Sequence, residues 1–579
     1  MKLKFCSIVT ALILVFALVG NSINVCAQDS GDIIGGASGD ISGGSSVFFL
    51  RGSRKRQHKV NSNNSYFVRS VQSRNEERQR RIEQSEIVSK PINPPLPKNK
   101  AAATLVAAAR KYLKDNNLTE AETGFYEANQ LDPTNPNAAL GLANVYAAYG
   151  DRAYDEQNYE KAILYYEKSN TFNPNNADTY ASIGDAFDAL KKEDKAISAY
   201  EKALSLNPKL TALNVPLGKL YYGISNFPQA KNYLQKSSFE SAKDAQLLYV
   251  YGATLYKLNE YKNALPILQK AVKVNSENAE THYYLGKVYA VLSDAAPEFQ
   301  EKAIGELSSA AQLKPKYAEA YFDLGAIYYN RGDYAKAVEN YAKAIDANSN
   351  YAEARLNLAD SYRLIAEAEN KSDNYSRAVN NYQIAVTYKQ YTDDADVLAK
   401  FGYALGKIKD WTRAIEYLQK AVAKQPDAVN YTNLSWAFYG SKKYPEAVKA
   451  AQNAIARNQN FAAGYYNLGK AQAVLKNYDA AVESFKKALV HRANWTDAQI
   501  NMGLVYGIKG DWQNAAQAQK TALETNPNSP EAHYFLAIAE LNLGNRKDAE
   551  RERDALTTLN PAYAQRINLL MNSTQLKRK

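Results

Sequence analysis

AEAYFDLGAIYYNRGDYAKAVENYAKAIDANSN, residues 318–350, decides the fold. Apolar and aromatic residues recur at three- and four-residue steps on both sides of Gly332-Asp333. The segment therefore reads as two amphipathic helices, A and B, joined by a short turn. Glycine at 332 suits a left-handed end to helix A, and Asp333 suits a cap on helix B. Gly325 stands midway along helix A, where glycine costs up to about 1 kcal/mol relative to alanine. Tolerating that cost points to a steric need, the close approach of helix B.

The same pattern returns in AAGYYNLGKAQAVLKNYDAAVESFKKALVHRAN (462–494) and TDAQINMGLVYGIKGDWQNAAQAQKTALETNPN (496–528). From Ala101 onward it repeats about every 34 residues. Thirteen successive units carry a small residue midway along helix A: Ala109, Ala143, Gly184, Gly218, Gly252, Gly286, Gly325, Ala359, Gly402, Ser435, Gly469, Gly503 and Ala537. Helix B opens its apolar face with alanine thirteen times, from Ala121 to Ala549, and proline closes seven units twelve residues later. Large residues fill the space beside these positions, such as Tyr200, Tyr341 and Phe485 on helix B.

This pattern resembles the tetratricopeptide-repeat (TPR) family. The resemblance implies an all-α superhelical solenoid of about 13 helix-turn-helix repeats over 101–561, with a concave groove lined by the A helices. Residues 562–579 are expected to form a capping helix and a basic tail. Two units, near 152–158 and 365–373, carry seven extra residues, which predicts about one extra turn for each of their helices.

The first hundred residues read differently. Lys2 and Lys4 precede an apolar run from Ile8 to Val19, a polar stretch and Val25-Cys26-Ala27. This is the layout of a signal peptide over 1–27, with an uncleaved anchor as the alternative. No other stretch is long and apolar enough to cross a bilayer, so the expectation is an exported protein, periplasmic or secreted. Residues 28–100 are Gly/Ser-rich, then basic, then Pro-rich (Pro91, Pro94, Pro95, Pro97), and are expected to be a disordered linker. The segment RGSRKRQHK, Arg51–Lys59, is densely basic; it reads as a solvated tail or as a contact with an anionic surface.

Charge placement narrows the partners. The chain carries a net charge of +11 and its pI is 9.0, but residues 51–100 hold 13 Lys+Arg against 4 Asp+Glu. Residues 101–561 sum to −1, so the repeats lack the basic face of a nucleic-acid binder.

No catalytic set is legible. The cysteines, Cys6 and Cys26, both fall in the leader. His58, His282, His491 and His533 lie far apart along the stack, so no metal site and no cofactor is expected. The expectation is a protein that is not an enzyme.

In the family, helix-A residues flanking the small position face the groove. Two residues before it stand Asn357, Asn433, Asn467 and Asn501, and one after it Asp360, Tyr403, Trp436 and Lys470. Asparagine offers a donor and an acceptor to the backbone of an extended peptide. With Arg363 and Lys400 these form the candidate groove site for a protein or peptide ligand. Trp436 has a second reading, as filler of a core gap. The expected function is a non-catalytic scaffold or adaptor. The alternative is a component of envelope assembly or of polysaccharide or protein secretion.

Overall fold

The computed structural model describes residues 100–237, 243–293, 296–369 and 371–576. The leader, most of the linker with its 51–59 basic run, and the last three residues lie outside the described residues. Among the described residues there are 27 α-helices, one short 3-10 turn and no strand.

The hairpins follow in order. In the first compact unit α1 (Lys100–Lys114) pairs with α2 (Leu118–Leu131), and α3 (Pro136–Asp155) with α4 (Tyr159–Phe172). Next, α5 (Ala177–Ala189) pairs with α6 (Glu193–Leu206), and α7 (Asn214–Gly223) with α8 (Phe227–Leu234). The unit ends with α9 (Ala245–Lys257) on α10 (Tyr261–Val274) and α11 (Ala279–Leu292) on α12 (Glu298–Leu313). The second unit opens with α13 (Ala318–Asn330) on α14 (Tyr334–Ala347) and α15 (Ala352–Glu369) on α16 (Ser372–Ala385). It continues with α17 (Ala395–Lys407) on α18 (Trp411–Lys424) and α19 (Ala428–Gly440) on α20 (Tyr444–Arg457). Then come α21 (Ala462–Val474) on α22 (Tyr478–His491), and α23 (Thr496–Ile508) on α24 (Trp512–Thr525). The last hairpin is α25 (Pro530–Leu543) on α26 (Arg546–Leu559), covered by α27 (Pro561–Leu576).

One rule recurs in the eight hairpins whose small residue is glycine: the residue four places after the helix-B alanine lies over that glycine of helix A. A Cβ on Gly184 would come within 2.5 Å of the Tyr200 ring, and one on Gly325 within 2.7 Å of the Tyr341 ring. Leu234, Leu268 and Leu418 cover Gly218, Gly252 and Gly402 in the same way. Where helix A carries Ser435, its hydroxyl donates to the Ala447 carbonyl at 2.8 Å, and the covering residue shrinks to Ala451. Volume is conserved across the contact, as close packing demands.

The A–B turn has its own rule. Gly332 and Gly510 adopt φ of +77° and +82°, and Asp333 and Asp511 then cap the next helix through the amides of Lys336 and Asn514. Eight other hairpins place a non-glycine residue at the left-handed position, among them Asn116, Lys409 and Lys442. The turn geometry is thus kept even where the sequence carries no glycine.

The two seven-residue insertions are absorbed differently. In the first, α3 grows to 20 residues while α4 stays at 14, so the expected extra turn in each helix is corrected to two turns in helix A alone. Gly150, seven residues after Ala143, takes the slot under Tyr166, with the ring 2.5 Å from its would-be Cβ. In the second, α15 lengthens to 18 residues and α16 starts earlier relative to Ala378, which shares the extra turn. At the C-terminus Ala564, Ile567 and Met571 of α27 pack on Tyr534, Ala537 and Leu556 and close the stack.

The position four before the small residue ties helix A to helix B, and it carries histidine twice. His282 Nδ1 lies 2.5 Å from a Glu306 carboxylate oxygen, and its Nε2 3.0 Å from the Ser276 carbonyl. His533 repeats this with Glu552 at 2.6 Å and Pro527 at 2.9 Å. Two acceptors require two N–H donors, so each ring is an imidazolium. The glutamate hydrogen bond raises each pKa, burial opposes it, and the carbonyl adds to the rise. A folded pKa raised above 6.5 gives stability that is complete below that value and is lost as pH rises through the folded pKa. Hydrogen exchange, corrected for intrinsic rates, is therefore expected to quicken in α11–α12 and α25–α26 as pH rises above 6.5. The other hairpins should not follow, and His282→Gln with His533→Gln should abolish the pH response.

Candidate partner-binding face

The candidate residues sit on helix A of five successive hairpins, α15, α17, α19, α21 and α23, all within the second unit. Helical spacing puts Asn357, Asp360 and Arg363 on one face of α15. The fold brings that face against Lys400 of α17 and Tyr382 of α16. The Asp360 carboxylate lies 3.3 Å from Lys400 Nζ and 3.7 Å from Arg363 Nε, and it accepts the Tyr382 hydroxyl. Glu367 holds Arg363 Nη1 at 2.7 Å, and Asp396 holds Lys400 at 2.8 Å.

Burial alone would neutralise such groups. It pushes the Asp360 carboxyl up, but Lys400 and Arg363 outweigh it and the net shift is downward. Burial likewise opposes the charges of Lys400 and Arg363; Asp360 and Asp396 override it at Lys400, and Tyr382, Glu367 and Asp360 at Arg363, so both pKa values rise. Asp360, Lys400 and Arg363 are each held in their charged form. The cluster can orient and polarise; it cannot exchange protons near neutrality.

Tyr403 and Trp436 do not present open faces. Tyr403 is 2 % exposed, and its ring packs 5.4 Å from Trp436. Trp436 meets Trp411 edge-on at 5.3 Å and covers Gly406, whose Cβ would lie 2.4 Å from the indole. The gap-filling reading of Trp436 describes this arrangement. Lys470 is also buried, its ammonium 4.8 Å over the Tyr439 ring and 5.3 Å over the Tyr466 ring.

The four asparagines separate into two kinds. Asn467 donates to the Thr432 carbonyl at 3.1 Å. Asn501 donates to the Tyr466 hydroxyl and the Asp497 carbonyl, and Asn357 reaches the Tyr341 hydroxyl at 3.5 Å. Asn433, 5 % exposed, has no hydrogen-bond partner among the described residues. Three amides thus brace the stack, and the fourth keeps its donor and acceptor unused.

The sequence reading missed Glu367, Asp396, Tyr382, Gly406 and Trp411. Glu367 and Asp396 stand four residues from Arg363 and Lys400, a helical ion-pair spacing that was readable. Gly406 lies on α17 itself, while Tyr382 and Trp411 meet the site from other helices, and no local spacing reveals what these three contact. Among the described residues no group of histidine, cysteine and carboxylates is placed to hold a metal, and no helix is long and apolar enough to cross a membrane.

Family models described as tetratricopeptide repeat match residues 177–210, 318–351, 396–428, 432–498 and 508–571, and one described as TPR repeat matches 252–292. No curated protein matches the chain. Among solved structures, the APC/C hetero-tetramer Cut9-Hcn1 is 19% identical, covers 76% of this chain and 96% of its own, and has a TM-score of 0.34. YrrB, titled a TPR protein with an unusual peptide-binding site, is 25% identical over 33% of this chain and 95% of its own, with a TM-score of 0.29. MamA is 27% identical over 28% of this chain and 95% of its own, with a TM-score of 0.25. With matches spread from residue 177 to residue 571, on hairpins that share one packing rule, the chain belongs to the tetratricopeptide-repeat family.

Proposed function

We propose that this protein is a non-catalytic interaction scaffold that holds an extended polypeptide along the helix-A face of α15 to α23. The observation that carries the reading is Asn433. No described group pairs with its amide, which is left to solvent or to a partner. A peptide backbone supplies the missing acceptor and donor without demanding a particular side chain. Lys400, whose side chain is 22 % exposed, offers the bound segment a cation held in place by Asp360 and Asp396.

Asn433→Ala tests this with little structural side effect, because no described group loses a hydrogen bond. Its melting temperature is expected to stay near that of the wild type, because the side chain gives up no hydrogen bond within the fold. Recovery of the native partner is expected to fall at least about tenfold, the usual effect of deleting one interfacial hydrogen-bonding group. Full recovery would place the partner elsewhere.

The same proposal includes export. The exported protein should begin near Gln28 by N-terminal sequencing. Its linker, residues 28–100, carries +6 and would supply any salt-sensitive contact with anionic surfaces. Deleting residues 51–59 is expected to weaken retention on anionic vesicles at low salt; equal retention would remove that assignment.

A further inference from the structure

In the first unit, three successive A helices carry a cluster of tyrosines. Tyr222 stands near the end of α7, Tyr249 and Tyr256 on α9, and Tyr284 on α11, all half-buried. Their rings converge. Tyr249 lies 6.5 Å from Tyr222 and 5.9 Å from Tyr284, and Tyr256 lies 5.5 Å from Tyr284. The Tyr222 hydroxyl donates to that of Tyr284 at 3.4 Å. Lysine surrounds them: Lys257 Nζ is 5.8 Å over the Tyr284 ring and Lys287 Nζ 5.7 Å over that of Tyr283. The acid on this face, Glu280, is held by Lys314 at 3.0 Å.

Lys257 keeps solvent access, yet burial first and the Lys287 charge second lower its pKa. Lys257 is thus reachable but incompletely solvated, and the Lys287 charge close by adds to the gain from meeting an anion.

We propose that this face binds an acidic, extended segment of a partner protein. One apolar or aromatic side chain of the segment seats among Tyr222, Tyr249, Tyr256 and Tyr284, and flanking carboxylates meet Lys257 and Lys287. Tyrosine is favoured at such anchors because it offers large area with little entropy to lose and keeps a hydroxyl for hydrogen bonding. The ring planes decide between a peptide and an acidic polysaccharide. They stand at 73°, 56° and 70° to one another across the three contacts. Sugar rings stack on open, roughly coplanar faces, and rings inclined this steeply to one another do not offer such a run of faces. The inference concerns a separate face and does not rest on the reading of Asn433.

The test is selection of a random-peptide display library against the full chain at low ionic strength, with wild type, Lys257→Glu/Lys287→Glu and Asn433→Ala in parallel. Wild type is expected to enrich peptides that join Asp or Glu to an aromatic or aliphatic residue. An enriched peptide should bind the double lysine variant at least about tenfold more weakly, as reversed charges repel it, and Asn433→Ala unchanged. Both lysines are accessible at their ends, so far-UV melting should match wild type. A second variant, Tyr256→Leu, keeps most of the volume and is expected to weaken the same peptide. Library output without acidic enrichment, equal binding by the lysine variant, or tighter binding of sodium polygalacturonate than of the peptide would each overturn the proposal.

Discussion

Asp360→Ala is expected to cost about 3 kcal/mol, the lower end of the range for breaking a buried ion pair. The carboxylate anchors three groups: Lys400, Arg363 and the Tyr382 hydroxyl. Its loss leaves the Tyr382 hydroxyl short of an acceptor and the Arg363 guanidinium short of a nearby countercharge inside the stack. Glu367 still holds Arg363, and Asp396 still holds the partly exposed Lys400, which keeps the cost from rising further. Repeat arrays do not melt as one unit, so the readout is local. Hydrogen exchange should quicken in α15 to α18 and leave α25 to α27 unchanged. Asp360→Asn, which keeps an acceptor for Tyr382, should lie between the two. Protection equal to wild type in Asp360→Ala would mean that the cluster contributes nothing to the packing of these hairpins. Replacing Asp360, Arg363 and Lys400 together by apolar residues of similar size should restore much of the protection, since buried ion pairs rarely outperform well-packed hydrophobes. Partner binding should not return with it, because the cation presented by Lys400 would be gone.

The fold was legible because a steric requirement repeats. A small residue on helix A meets a covering residue on helix B in hairpin after hairpin, and thirteen repetitions of one spacing leave no competing period. Where the spacing broke, the reading lost resolution. Seven extra residues near 152–158 could lie in either helix, and only the contact of Gly150 with Tyr166 shows that α3 takes them all. The candidate site was legible by position and much less by exposure. Lys470 and Tyr403 stand one residue after the small position, as expected of groove residues, but both are covered by rings from neighbouring hairpins. Tyr439 lies 31 residues before Lys470, and Trp436 lies 33 after Tyr403. Contacts at such separations depend on how one hairpin is rotated against the next, and nothing local in the sequence encodes that rotation. The same limit hid the tyrosine cluster, whose rings come from three different hairpins.

Gly406→Ala is expected to destabilise α17 to α20 by about 1–3 kcal/mol, although it adds a single methyl group. The new Cβ would lie 2.4 Å from two carbons of the Trp436 indole and 3.2 Å from Trp411. The indole has little room to withdraw. Tyr403 lies on one side at 5.4 Å and Trp411 at 5.3 Å, and Trp411 is itself set over Gly440, where a Cβ would also come within 2.4 Å. Each tryptophan therefore fills the space that a glycine on helix A leaves, one in α17 and one in α19. This contact joins successive hairpins, which differs from the slot under Tyr341, where the contact stays inside one hairpin. A double-mutant cycle separates the contact from any general effect of alanine. Trp436→Leu alone should cost stability by opening a cavity. Gly406→Ala should then cost far less in the Trp436→Leu background, because the methyl has somewhere to go. Equal cost in both backgrounds would show that Gly406 is required for its backbone and that the indole does not confine it. Exchange that quickens uniformly from α13 to α27 would contradict the nearest-neighbour picture of the stack.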